Sequence, residues 1–228
     1  MESFRYVDIF ATKGIEYIIV MAFLAAFVYF SRYLGHRAGV PAERPRTFVD
    51  YFRVPDGYFF HQGHTWFKRD SRDVVTIGMD DFAQRFLGKI DEVALPHMGA
   101  KVRQGDKGWN VISDSRMVPM LSPVDGEVIA INAAALRTPQ LINEDPYEKG
   151  WLLKIKATKL AANTRNLLAG NTARTWTMET LNGIRMQNGE SLGIVYQDGG
   201  APVAGMAKAL YGDGWDNEVR KLFLTQGE

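Results

Sequence analysis

Pro123-Val124-Asp125-Gly126-Glu127-Val128, followed by Asn143-Glu144-Asp145-Pro146-Tyr147 and Gly150-Trp151-Leu152-Leu153-Lys154-Ile155-Lys156, decides how this chain folds. The first run is a turn opening a short strand over residues 126–131. The second begins as an Asx-Pro turn, which predicts that Trp151 enters the core at the head of a strand over 151–155. Working outward, Val74-Val75-Thr76-Ile77 is a strand stopped by Gly78. Residues 80–87 suit a short helix, with an acidic start, Phe82 and Phe86 on one face, and Gly88 as the stop. Further strands are expected at 90–95, 109–113 and 117–121. Elements this short, divided by Gly and Pro, predict a mainly β flattened barrel or sandwich. Gly99 and Gly126 are assigned to corners needing φ freedom, and Pro96 and Pro123 to strand ends.

The same residues carry a family likeness. His64-Thr65-Trp66, Thr76-Ile77-Gly78-Met79-Asp80-Asp81-Phe82-Ala83-Gln84 and Val93-Ala94-Leu95-Pro96-His97-Met98-Gly99 precede the runs quoted above. In this order and spacing, residues 57–157 resemble the glycine cleavage system H protein. That resemblance implies a lipoyl-domain-like fold, an antiparallel flattened barrel or sandwich of two similar halves. It also implies a function: a lysine at a hairpin tip, lipoylated on its ε-amine, whose arm carries an aminomethyl group and electrons between enzymes.

The stretch from Asp106 to Pro123 has the family's length, and counting from either end puts the family lysine at Ser115. The neighbouring Arg116 is no substitute, because a guanidinium stays protonated and is not acylated as an amine is. Lys101 and Lys107 fall toward the hairpin base, where an arm would be poorly presented. The expectation is therefore a module without lipoate or any other cofactor, with modification at a non-standard lysine as the alternative.

Residues 15–34 read Ile-Glu-Tyr-Ile-Ile-Val-Met-Ala-Phe-Leu-Ala-Ala-Phe-Val-Tyr-Phe-Ser-Arg-Tyr-Leu, with charge only at Glu16 and Arg32. A run of about 20 residues matches a ~30 Å hydrocarbon core. It is apolar on every face, unlike a core helix of a small protein, and lacks the basic start and small-residue cleavage site of a signal peptide. It predicts one transmembrane helix after a tail at 1–14. Arg32, Arg37, Arg44, Arg46 and Arg53 outnumber Arg5 and Lys13, which predicts a single pass through the inner membrane with the C-terminal domain in the cytoplasm. Residues 35–56, with Pro41, Pro45 and Pro55, read as a stiff linker.

Residues 158–228 are expected to form a helical extension. Asn171 or Thr172 caps a first helix that Gly183 and Gly189 interrupt. A short strand at 192–196 and a turn at 197–200 follow. Helices at 206–210 and 215–224 close the chain, the last with Trp215, Val219, Leu222 and Phe223 at helical spacing. A folded cap on the module and a docking tail for a partner both fit this pattern.

A formal net charge of +1 gives no bulk attraction to nucleic acid, and the absence of cysteine leaves no disulfide and no thiolate for zinc or iron–sulfur clusters. The four histidines are His36, His61, His64 and His97. His61 and His64 would suit a metal only on a helix, and His36 could approach haem or a quinone. No nucleophile elbow, phosphate loop or metalloprotease helix is present, so no catalytic or metal residue is expected. The sequence thus predicts a non-catalytic, membrane-anchored accessory subunit. Its module would act as a scaffold for protein subunits of a membrane assembly, on analogy a redox or respiratory one.

Overall fold

Short apolar runs build the main sheet: β3 (Tyr58–His61) alternates buried and half-buried residues, whereas the first half of β4 (Thr65–Arg69) and nearly all of β5 (Val74–Met79) are buried on both faces. The computed structural model describes residues 9–37, 48–49, 51–189 and 203–227. They fall into two units, Met1–Pro45 and Arg46–Glu228.

The first unit holds α1 (Ile9–Arg37), one helix of 29 residues. Its described side chains, Gly14, Glu16 to Phe30 and Arg32, are all exposed. Among the described residues, no helix is long and apolar enough to cross a membrane. The described apolar run, Tyr17 to Phe30, rises only about 20 Å at 1.5 Å per residue, short of ~30 Å of hydrocarbon. Of the transmembrane helix expected at 15–34, the structure therefore gives a helix and no span. His36 lies in the last turn of α1, its side chain outside the described residues.

In the second unit, β1 (Phe48–Val49) and β2 (Phe52–Arg53) form a two-stranded ribbon, within a segment read as linker, that places Val49 and Phe52 in the core. Next come α2 (Asp81–Leu87), β6 (Glu92–Ala94), β7 (Lys101–Val102), β8 (Lys107–Ser113), β9 (Arg116–Leu121) and β10 (Gly126–Ile131). After α3 (Ala133–Arg137) and α4 (Gln140–Glu144) come β11 (Leu153–Ala157), α5 (Leu160–Arg165), β12 (Leu168–Ala169) and α6 (Gly170–Gln187). Two helices close the unit, α7 (Met206–Tyr211) and, after a 3-10 turn, α8 (Trp215–Leu222). A seven-stranded antiparallel sheet runs β12-β3-β4-β5-β11-β10-β7, and a three-stranded one runs β6-β8-β9. Trp66, Phe67, Ile77, Trp109, Val111 and Leu153 belong to one continuous core. The mainly β fold with C-terminal helices is as expected.

Asp80 caps α2 as its acidic position suggested, accepting from Ala83 N at 2.7 Å. Gly99, at φ +83°, takes the left-handed corner expected of it. Gly126 serves another purpose, since a Cβ there would collide with the Lys156 carbonyl as β10 and β11 close up.

The expectation for Trp151 fails. Asn143 and Glu144 continue as α4, and Asp145 closes a tight turn by accepting Gly150 N at 2.7 Å. The strand then starts at Leu153, so fully buried Leu152 fills the core while Trp151 stays half-buried under Lys154 Nζ, 5.6 Å from its ring centroid. Tyr147 is the residue the turn sends inward. Its hydroxyl donates to Arg53 O at 2.5 Å and accepts from Asp81 N at 3.2 Å. Two further expectations change in the extension. Gly183 lies inside α6, and that helix starts at Gly170 behind Ala169 without a side-chain cap, so neither Asn171 nor Thr172 caps it. The strand and turn expected at 192–200 lie outside the described residues.

Tyr147→Phe keeps the ring and removes the hydroxyl that joins Arg53 to Asp81. It is expected to lower the unfolding free energy by about 1–3 kcal/mol, read as a lower urea midpoint with an unchanged slope.

Candidate functional site at a hairpin tip

Strands β8 and β9 pair from Lys107↔Leu121 to Ser113↔Arg116, leaving Asp114 and Ser115 as a two-residue turn. Both have positive φ, 49° and 60°, as in a type I′ hairpin turn, whose twist matches the flanking strands. Ser115 is therefore the outermost residue of the hairpin, with its hydroxyl exposed. Lys107 begins β8, roughly 20 Å from the tip at 3.4 Å per residue. Lys101 belongs to the other sheet, on β7. Neither offers an amine at the turn.

The residues flanking Ser115 are tied down from three directions. Asp114 N donates to Asp91 Oδ2 at 2.9 Å, and Ser113 Oγ donates to Leu87 O at 3.2 Å. A hydrogen bond from Lys89 holds the Asp91 carboxyl below its ordinary range. From the C-terminal helices, Lys208 Nζ reaches Asp114 Oδ2 at 2.6 Å, and Arg116 Nη1 reaches Asp216 Oδ1 at 3.4 Å. Arg220 Nη2 donates to Met117 O at 2.9 Å. Beside the tip a cleft of about 540 Å³ is lined by Leu87, Lys89, Asp91, Ser113, Asp114 and Lys208 among others.

These C-terminal partners were not foreseen. They lie about a hundred residues from the tip, Lys208 on the Met206–Tyr211 helix and Asp216 and Arg220 on the charged face of the Trp215–Leu222 helix.

The histidines take separate roles. His61 ends β3, and its Nδ1 accepts Gly63 N at 3.0 Å. Burial, with a smaller contribution from His64, pushes its pKa below 6.5. His64 sits in the following turn at φ +59°, buried, with Nδ1 2.9 Å from Asp80 Oδ2. Rings of Phe82, Trp176 and Phe223 surround it at 4.5, 4.6 and 5.2 Å, and its Nε2 has no hydrogen-bond partner. His97 is exposed and lies against Met98 O. Among the described residues, no group of three or more His, Asp or Glu is placed to hold a metal.

Comparison with known proteins bears on the same region. The family model for the glycine cleavage H-protein matches residues 58–180, more than half of the chain. A mitochondrial glycine cleavage system H protein from Oryza sativa subsp. indica is 45% identical over 103 residues, covering 45% of this chain and 62% of the relative. A probable glycine cleavage system H protein from Thermococcus kodakarensis is 35% identical over 120 residues, covering 53% of this chain and 89% of that protein. The crystal structure of a glycine cleavage system H protein from Mycobacterium marinum aligns over 60% of this chain and 99% of its own, with a TM-score of 0.47 and 25% identity.

The depressed His61 pKa has a consequence with a definite sign. An unfolded chain takes up a proton at this ring near pH 6.5, before the folded one does, so stability falls as pH drops below that value. Protonation also removes the acceptor for Gly63 N. His61→Gln, whose amide oxygen can still accept that bond, is expected to flatten the stability profile between pH 6.5 and 5 in urea titrations. An unchanged slope would show that His61 does not contribute.

Proposed function

The chain belongs to the glycine cleavage H-protein family, and from that premise we propose that it is a membrane-anchored, non-lipoylated scaffold. The observation that carries this reading is the hairpin tip, where an exposed hydroxyl, Ser115, occupies the outermost position between Asp114 and Arg116. A serine hydroxyl is a far weaker nucleophile than an amine, and the Arg116 guanidinium stays protonated, so neither forms a lipoamide as lysine does. The module then carries no arm and performs no catalytic step. Its use is to offer a rigid surface to protein subunits of a larger membrane assembly, with a redox or respiratory complex as the first candidate by analogy.

The anchor is α1. Twenty-nine helical residues reach about 43 Å at 1.5 Å each, and Ile18, Val20, Phe23, Leu24, Phe27 and Phe30 are exposed around its circumference. A helix with apolar side chains on all sides wants a solvent of like character, and the sequence of 15–34, charged only near its ends at Glu16 and Arg32 where a side chain can reach the head groups, suits a bilayer. The basic excess beyond Phe30 favours a cytoplasmic second unit.

One observation favours a second reading, a tethered carrier modified at a non-standard lysine. Lys208 brings an amine beside the turn, hydrogen-bonded to Asp114. Intact-mass measurement of the chain purified from its own cells separates the two. The scaffold reading expects the bare polypeptide mass; a lipoyl-sized increment on the wild type overturns it, and loss of that increment in Lys208→Arg assigns the modification to Lys208. The anchor is tested by liposome flotation. The intact protein is expected to float, and Leu24→Arg, which places a charge costing about 3 kcal/mol at mid-helix, is expected to weaken that binding. A protein that stays at the bottom of the gradient would remove the membrane from the proposal.

A further inference from the structure

The C-terminal helices do more than complete the core. We propose that α7 and α8 form a fixed lid on the β8–β9 hairpin, occupying the place of an enzyme docked on it, so the tip stays closed to macromolecular partners. This rests on the reading of the module as a non-lipoylated scaffold and adds a second barrier to lipoylation, independent of the missing amine.

Four kinds of observation converge on it. First, the lid is seated through its own apolar core, because Met206, Ala207, Trp215, Val219 and Phe223 are all buried. Phe223 also closes over the His64 ring, which Asp80 holds in place. Second, its entry is fitted to the module at a crossing of two glycines. Gly205 N donates to Arg85 O at 2.8 Å, and a Cβ on Gly88 would lie 2.8 Å from Gly205 Cα. Third, its polar rim ends on the residues flanking the turn. Lys208 takes Asp114, Asp216 and the Asp213 carbonyl take Arg116, and Arg220 takes the Met117 carbonyl. Fourth, β9 pairs with β8 on one side, and α8 packs against this strand. An uncovered strand edge is a ready template for another protein.

Ser115 itself remains exposed, so small molecules reach it. An enzyme acting on a side chain at 115 must also contact the flanking strand residues, and those contacts are already made by the lid. Access by a protein then requires the lid to open, and its rate scales with the opened population.

Restoring the amine tests this directly. Wild type, Ser115→Lys, S115K with V219D, and S115K with G205V are each treated as full chains with a purified lipoate–protein ligase, lipoate and ATP, beside an ordinary H protein as control. Val219→Asp buries a carboxyl among apolar groups beneath the lid. Gly205→Val strains a backbone held at φ +84° and serves where V219D does not fold. Hydrogen exchange confirms in each variant that β3–β5 remain protected and that the lid has loosened. The expected result is no product from wild type, slow modification of S115K, and at least about tenfold faster modification once the lid is loosened. Modification of S115K at the control's rate overturns the lid and leaves the scaffold reading intact. Equal rates for S115K and its loosened versions, with β3–β5 folded, also overturn it. Lipoylation of wild type overturns the scaffold reading instead.

Discussion

Much of the second unit hangs on the buried carboxylate of Asp80. One oxygen accepts Ala83 N and starts α2, the other meets His64 Nδ1, and its own N–H donates to His64 O. A carboxylate this deep is costly unless its lone pairs are engaged, and here both oxygens are. The pairing fixes the His64 ring, on whose faces and edges Phe82, Trp176 and Phe223 then pack. Three segments far apart in sequence, α2, α6 and the end of α8, thereby converge on one polar post inside an apolar core. Remove the post and each of the three loses its reference.

A second knot lies behind the first. Asn143 Nδ2 donates to Gly88 O at 2.7 Å and its Oδ1 accepts Ile90 N at 3.1 Å, which fastens the exit of α2. Tyr147, four positions after Asn143, joins Arg53 to the entry of the same helix. Burial raises the pKa of its hydroxyl well above the ordinary tyrosine value, so it keeps its proton as donor throughout the accessible range. The family's most recognisable residues thus serve backbone geometry around α2. The fold around α2 therefore does not depend on what stands at the hairpin tip, since none of these bonds involves Ser115.

How far the sequence could be read follows from which interactions are local. Gly126–Ile131 was legible to the residue because its bounds are set by a Gly and a period-two pattern. The cap at Asp80 and the helix after it were legible from other local signals, an acidic start, Phe82 and Phe86 on one face and Gly88 as the stop. Trp151 was misplaced because a short helical turn, α4, shifts where the strand begins, and in a strand a small shift exchanges inside for outside. The position of Ser115 at the tip was legible from the resemblance, by counting from Asp106 and Pro123 against the family's segment. The bonds that surround it were not, because Lys208, Asp216 and Arg220 reach it through tertiary packing that no local pattern encodes.

The burial of Trp215, Val219 and Phe223 decides between the two roles the sequence left open for the final helices. Fully burying such side chains contributes about 1.5–3 kcal/mol each, far more than the exposed ion pairs at the tip, which are worth about 0–1 kcal/mol apiece. The apolar contacts therefore hold the helices down, and the charges set their register over the hairpin. A docking tail would keep its aromatic face available for a partner, whereas here that face is spent on the module itself. Any partner of this unit must meet the polar outside of the cap or another surface of the sandwich, and the hairpin is flanked by the cap while its tip stays exposed.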